Sequence, residues 1–225
     1  MSVEEGMLAR FAAAGLWPGF PRRALDELRR TGFARIDDVD ATALLALTGI
    51  GPVTAPRLVR ALTDRTDAYD IAVLLDAAGM PLRGADRLAK ELGAGAGEAL
   101  RGNPWRLLAA PERSLSDADR LAAGLGLTRD HPLRGPAVVG YLLTRVAVHG
   151  HTAWPVDQLC REAAAHGVAD PAAAIEQAVA TGAVVTVTDT AALNRYDGAE
   201  RTLANDLIRL ARTAQDWSRP GGTRR

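Results

Sequence analysis

Apolar residues recur at helical spacing along most of the chain, but glycines and prolines interrupt every helical segment after a few turns. Ala, Leu, Arg and Glu dominate these segments, and all four favour helix. Because glycine and proline end helices, the pattern predicts short helices joined by turns. Asp40 is the predicted N-cap of one helix, and Ser114 and Ser116 are the predicted caps of another. The predicted helices lie near 4–14, 22–31, 41–47, 54–63, 70–78, 84–92, 97–101, 104–109 and 116–124.

The pattern changes near residue 131. Helices are predicted near 134–149, 155–166 and 171–181, and the β-branched residues of 183–188 then predict a strand. The next residues turn the chain into a second predicted strand near 192–196. Three helices followed by a β-hairpin is the order of a winged helix. A last helix is predicted over 199–213, where Leu203, Leu207 and Leu210 share one face.

Short turns recur about every 30 residues in the first part of the chain, which indicates a repeated helix–turn–helix unit. The predicted fold class is therefore mainly α, with tandem helix-hairpin-helix repeats followed by a small winged-helix domain with one β-hairpin. The predicted domains are a repeat domain (1–130), a winged-helix domain (131–198), a C-terminal helix (199–217) and a disordered basic tail (218–225).

The turn at 47–55 carries the clearest chemical signal. Gly49 and Gly51 permit a tight turn with positive φ, and Gly51 is expected to need it. Ile50 is expected to point into the helix pair, and Ala55 lets the two helices approach. Backbone N–H groups left free at a helix start form an anion site that suits a DNA phosphate, independent of base sequence. The alternative is a simple turn with glycines for packing. The predicted DNA-binding residues are Thr48, Gly49, Ile50, Gly51, Val53, Thr54, Arg57 and Arg60.

The other turns match this pattern less well. Turn 19–24 is one position short, turn 79–84 keeps only its two end glycines, and turn 111–118 has no glycine and is expected to serve packing. No cofactor is expected, although the sequence leaves open a monovalent cation at the 47–52 hairpin. Pro56 is compatible with a helix if Thr54 is the N-cap. The candidates in secondary hairpins are Gly19, Arg22, Arg23, Gly79, Arg83 and Arg87.

The overall charge argues against strong nucleic-acid binding. The 225 residues carry 27 Lys and Arg against 27 Asp and Glu, so the formal net charge is zero. DNA-binding domains are typically basic, and DNA affinity is therefore expected to be weak and salt-sensitive. Lys90 is the single lysine and lies between Ala89 and Glu91, so the chain has no phosphate-binding P-loop. We expect this chain to be no enzyme by itself.

Other chemistry receives little support from the sequence. His149, His151, His166 and Cys160 have spacings that match no zinc pattern, so no metal site is expected. No apolar run approaches the roughly 20 residues of a membrane span, and the N-terminus lacks a basic n-region. We therefore expect a cytoplasmic protein.

Several motifs resemble the N-terminal region of RecD-like ATP-dependent DNA helicases. The segment Gly49–Ala55 is similar to a hairpin of that region, and the order of the other segments agrees over about residues 15–210. This resemblance implies a helical hairpin array and a winged helix that precede a superfamily-1 motor, which this chain lacks. The supporting segments are Leu74–Met80, Glu98–Leu107, Ala118–Ala122, His149–Thr152 and Leu193–Leu203.

The resemblance also implies a function. It suggests non-specific binding to single-stranded or junction DNA, in repair or recombination, with a helicase motor on another chain or in a missing part. Two alternatives stay open. One is an interaction scaffold without DNA contact. The other is a DNA glycosylase that uses Asp70, which lies 21 positions after Gly49 but is also a candidate N-cap.

The predicted third helix of the winged helix is a poor candidate for reading bases. It contains no Arg or Lys, and Gln177 is its one side chain suited to base readout. We therefore expect this helix to serve packing or partner binding.

Overall fold

The computed structural model describes residues 6–33 and 35–217. The chain divides into two compact units, Met1–Arg129 and Asp130–Arg225. Both are built mainly from short helices, as the glycine and proline spacing predicts. No helix in these described ranges is both long enough and apolar enough to cross a membrane.

The first unit is helical throughout. Its α-helices are α1 (Met7–Ala13), α2 (Leu25–Arg30), α3 (Ala41–Leu45), α4 (Thr54–Thr63), α5 (Thr66–Ala77), α6 (Ala85–Leu92), α7 (Ala96–Gly102) and α8 (Leu115–Gly124). Short 3-10 helices occupy Arg22–Ala24, Ile36–Asp38 and Pro104–Ala109. The predicted N-caps Asp40 and Ser114 are confirmed, since Asp40 accepts the N–H of Ala43 at 2.6 Å and Ser114 that of Asp117 at 3.2 Å. Ser116 lies inside α8 and is not its cap.

Four helical hairpins follow one another in this unit. Their turns lie at 14–21, 46–53, 78–84 and 110–114, and we name them the first to fourth hairpins. Aromatic side chains link elements that are distant in sequence. The Trp17 indole of the first hairpin donates to the Leu58 carbonyl of α4 at 2.9 Å, and Phe11 packs edge-on against Tyr69 with ring centroids 5.4 Å apart. Leucine and alanine fill most of the remaining core.

The second unit is a winged helix. It contains α9 (Arg134–Val148), β1 (Ala153–Pro155), α10 (Val156–Ala165), α11 (Pro171–Ala180), β2 (Val184–Val187), β3 (Thr190–Leu193) and α12 (Asn194–Trp217). The strands form an antiparallel sheet in the order β1-β3-β2. The guanidinium of Arg134, buried at the start of α9, donates to the carbonyl of His166 at 2.9 Å and so ties α9 to the end of α10.

The sequence predicts two strands, but the sheet has three, and β1 is the additional one. It is three residues long, ends in a proline and shows no alternating pattern, so the sequence gives no local sign of it. It forms because Trp154 pairs with Ala191 of β3. The hairpin itself is confirmed, but its second strand ends at Leu193.

Several helix boundaries also differ from the prediction. The C-terminal helix begins at Asn194 instead of 199, directly after β3. Helix α4 has Val53 at its N-cap, so Thr54 is its first residue and not its cap. Helix α5 begins at Thr66, which places Asp70 inside the helix, and the prediction that Asp70 is an N-cap is wrong. The tail predicted over 218–225 lies outside the described residues.

Candidate nucleic-acid interface

The turn of the second hairpin has the predicted packing. Ile50 is buried between the helices with 6% of its surface exposed, and Ala55 is fully buried at the start of α4. Gly49 has φ +82°, a conformation that disfavours any residue with a Cβ. The small residue at 55 and the apolar residue at 50 therefore hold α3 and α4 together around an exposed turn.

The backbone of this turn presents unused donors. Within the described chain, the N–H groups of Gly49, Gly51 and Val53 have no protein acceptor. The Gly51 carbonyl accepts the N–H groups of Thr54 at 2.9 Å and Ala55 at 3.0 Å, so its oxygen is engaged in the helix start. Val53 is 67% exposed. Free amides at the start of a ten-residue helix favour an anion by geometry and by the helix dipole.

Two arginines of α4 extend this site. Arg57 and Arg60 are three positions apart, so they lie on the same side of the helix. Both side chains are exposed, and neither guanidinium has a hydrogen bond or ion pair with any described residue. They are therefore available to an anionic ligand that reaches beyond the turn.

The fold adds a third arginine to the turn. Arg23, which the sequence assigns to a secondary hairpin, donates from Nη2 to the Gly49 carbonyl at 3.3 Å. Its guanidinium fills the space that a Cβ at Gly49 would need. The contact spans 26 positions, and no local pattern indicates it.

Glu27 of α2 is a site residue that the sequence analysis missed. Its carboxylate accepts the Thr48 N–H and the Thr48 hydroxyl, each at 2.6 Å. These two hydrogen bonds, with a smaller contribution from Arg30, lower the pKa of Glu27 below its ordinary value. Both donors of Thr48 are thus occupied by a carboxylate, whereas the amides of Gly49 and Gly51 remain free.

The expectation that Gly51 needs positive φ is wrong. Gly49 has the left-handed conformation, and Gly51 does not. A Cβ added at Gly51 would project into open space, with no atom within 4 Å. The shape of the turn therefore does not require glycine at position 51, and a side chain there would stand beside the backbone that a ligand approaches.

The third hairpin is closed by residues of the fourth. The carboxylate of Glu112 contacts Gly84 at the N-terminus of α6 and lies 3.7 Å from the Arg87 guanidinium. Arg113 donates to the carbonyls of Pro81 at 2.9 Å and Arg83 at 2.6 Å. An internal carboxylate thus lies where a phosphate would bind. Gly79 has φ +65° and shapes this turn, and the Arg83 side chain is exposed.

The fourth hairpin is fully capped. Ser114 and Asp117 form a reciprocal capping box at the start of α8. Burial tends to raise the pKa of Asp117, but the hydrogen bonds from Ser114 outweigh it and the pKa is lowered. This agrees with a packing role, as expected from the missing glycines.

In the first hairpin Gly19 has φ +78° and Arg22 is exposed in the 3-10 helix that follows.

Asp70 lies at a helix contact. Its Cβ is 2.6 Å from the position of a Cβ added at Gly97 of α7, so this contact requires glycine. Burial raises the pKa of Asp70, with Arg101 opposing the shift. Asp67 is the capping residue in this region, since it accepts the N–H groups of Gly95 and Ala96 at the start of α7. Among the described residues, no three His, Cys, Asp or Glu side chains form a cluster suited to a metal.

Part of this architecture matches a known protein family. Residues 64–153 match the family model of the ATP-dependent RecD2 DNA helicase HHH domain. The matched segment includes the third and fourth hairpins and α9, and it begins after the 47–55 turn. No curated protein and no solved structure matches the chain. Over residues 64–153, the chain is therefore similar to the helix-hairpin-helix domain of the ATP-dependent RecD2 DNA helicases.

Proposed function

We propose that this chain is a sequence-independent DNA-binding module whose second hairpin holds a backbone phosphate. The observation that carries the proposal is the set of free N–H groups at Gly49, Gly51 and Val53, at the start of α4. Hydrogen bonds from backbone amides to phosphate carry no base information, so binding without sequence preference follows. The family of the adjacent HHH domain supports DNA as the ligand.

The arginines around the turn support the same ligand. Arg57 and Arg60 continue along α4 from the amides, and Arg23 lies on the turn itself. Successive phosphates of one strand can contact such a row of cations. Since the net charge of the chain is zero, the long-range attraction to DNA is small and the affinity is weak. The contacts between arginine and phosphate release counterions, so this affinity falls as the salt concentration rises.

The wider role belongs to the same proposal. We propose that the module prefers single-stranded or junction DNA and acts in DNA repair or recombination, with a motor on another chain or in a part missing here. The chain alone neither hydrolyses ATP nor unwinds DNA. Its single lysine, Lys90, is on α6 and pairs with Asp86 at 2.9 Å, where it serves no phosphate loop.

Fluorescence anisotropy on labelled duplexes of unrelated sequence tests the proposal. Arg57→Ala and Arg60→Ala should each weaken binding equally on all sequences and reduce the salt slope by about one counterion. Arg161→Ala is a matched control, because this exposed arginine is paired with Asp157 in the other unit. Strong preference for one sequence, or equal losses from all three variants, would contradict the proposal.

A protein-interaction scaffold is the second candidate, and one observation favours it. Leu203, Leu207 and Leu210 on α12 are each more than half exposed, at 59%, 56% and 59%. Leu207→Asp should leave DNA binding unchanged under the DNA-binding proposal. If neither this variant nor the hairpin variants affect DNA, and both weaken association with a motor protein, the scaffold function is supported instead.

A further inference from the structure

Two arginine–tyrosine pairs meet on the surface of the winged helix. The Arg145 guanidinium carbon lies 5.8 Å from the ring centroid of Tyr141, and that of Arg195 lies 5.0 Å from the ring centroid of Tyr196. The Arg195 Nη2 donates to the Thr144 hydroxyl at 3.5 Å. Since Tyr141, Thr144 and Arg145 are three and four positions apart on α9, they share one side of that helix. Arg195 therefore joins the two pairs into one surface, the α9–α12 arginine patch.

The guanidinium groups of this patch are available. Arg145 and Arg195 are exposed, whereas Tyr141 and Tyr196 are half-buried. Neither arginine is paired with a carboxylate among the described residues. A guanidinium that rests on an aromatic ring is held in a fixed plane. Each guanidinium therefore lies over a tyrosine ring, while the arginine itself is exposed to solvent.

The usual base-reading elements of a winged helix lack this chemistry. Helix α11 and the β2–β3 hairpin, residues 171–193, contain no lysine or arginine. Arg134 at the other end of α9 is buried, and Arg161 on α10 pairs with Asp157 at 3.0 Å. Contact of this unit with nucleic acid through α11 is therefore disfavoured, and the patch offers exposed planar cations on a different side.

We propose that the α9–α12 arginine patch binds single-stranded nucleic acid by stacking bases on the guanidinium planes of Arg145 and Arg195. Base faces stack on arginine planes as they do on aromatic rings, and the positive charge attracts the adjacent phosphates. A duplex hides its base faces in its own stack, so the patch selects unpaired strands. This rests on the proposed preference for single-stranded DNA and deepens it by adding a second site, because the second hairpin contacts phosphate alone and lies in the other unit.

The test uses the full chain and a labelled thymidine oligonucleotide, beside a base-free sugar-phosphate strand of the same length. Arg145→Lys and Arg195→Lys, made singly and together, keep the charge and remove the plane. The double variant should bind the thymidine strand about tenfold more weakly than the wild type. Its affinity for the base-free strand should be unchanged. Arg161→Lys is the matched control and should equal the wild type on both strands.

Three results would overturn the proposal. One is a double variant that holds the thymidine strand as tightly as the wild type. Another is a wild type that binds the base-free strand as tightly as the thymidine strand, which would show that the patch binds through its positive charge alone. The third is a wild type without affinity for single strands, which would leave the patch as a protein contact. Circular dichroism checks folding, and the single variants serve if the double variant unfolds.

The proposed phosphate site can fail separately. Loss of duplex binding in Gly51→Val, with thymidine binding sensitive to Arg195→Lys, supports both sites. If Gly51→Val has no effect on the duplex while the lysine variants still lose the thymidine strand, the hairpin proposal fails and the patch stands.

Discussion

Substitution of Gly49 by alanine should destabilise the first unit, whereas the same change at Gly51 should not. Gly49 has φ +82°, and a left-handed conformation costs a residue with a Cβ about 1–2 kcal/mol. The added methyl group also overlaps the Arg23 guanidinium. Displacing that side chain removes its exposed hydrogen bond to the Gly49 carbonyl, for about 0.5 kcal/mol more.

The expected loss in the free energy of unfolding is therefore about 2 kcal/mol for Gly49→Ala. For a unit of this size, that corresponds to a decrease in Tm of about 6–10 °C. Gly51→Ala is the matched control. Its φ is not positive and its Cβ would meet no atom within 4 Å, so the change should stay within about 0.5 kcal/mol.

Thermal and urea unfolding followed by circular dichroism measure both variants against the wild type. The urea midpoint and the Tm should fall for Gly49→Ala and stay constant for Gly51→Ala. Equal losses would mean that the two glycines share one role in the turn. A larger loss for Gly51→Ala would refute the assignment of the strained position to Gly49.

The remaining predictions concern titrating groups and the lysine. Glu27→Gln should strengthen DNA binding by removing a negative charge beside the phosphate site, and no change in affinity would contradict this role. It should also lower stability at neutral pH. The hydrogen bonds from Thr48 lower the pKa of Glu27, so this stabilisation is present above the ordinary carboxyl pKa and is lost as the pH falls through the folded-state value. Asp70→Asn should raise stability at pH 7, because burial raises the pKa of Asp70, and the gain should vanish below about pH 4. If urea unfolding shows the same gain in the free energy of unfolding at all pH values, the gain comes from packing against Gly97 and not from the charge of Asp70. Lys90→Ala should leave ATP hydrolysis at background, as in the wild type. A measurable rate of ATP hydrolysis by the purified chain would contradict the prediction that it has no phosphate-binding P-loop.

The sequence predicts those parts of the fold that depend on neighbouring residues. Ile50 and Ala55 are buried as expected, because a turn between two helices sets its own local requirements. The caps at Asp40 and Ser114 are also local, since each side chain accepts from a backbone N–H three positions on. Such features follow from spacing and residue type alone.

The missed features depend on contacts distant in sequence. Glu27 reaches Thr48 across 21 positions and Arg23 reaches Gly49 across 26, and neither pairing leaves a local pattern. Strand β1 exists because β3 supplies its hydrogen-bonding partner. The sequence also leaves open which glycine is strained, because a Gly-Ile-Gly sequence permits positive φ at either end.

The effect of Gly51→Val on DNA binding is the most direct test that the second hairpin holds a DNA phosphate. The open space around Gly51 allows a folded variant, and the branched side chain would stand beside the free N–H groups of the turn. Anisotropy titrations at two salt concentrations, on unrelated duplex and single-stranded sequences, compare it with the wild type and with Arg161→Ala. We predict weaker binding of Gly51→Val on every sequence, with wild-type folding by circular dichroism and wild-type binding for Arg161→Ala. A folded Gly51→Val that binds all of these DNAs as tightly as the wild type would contradict it.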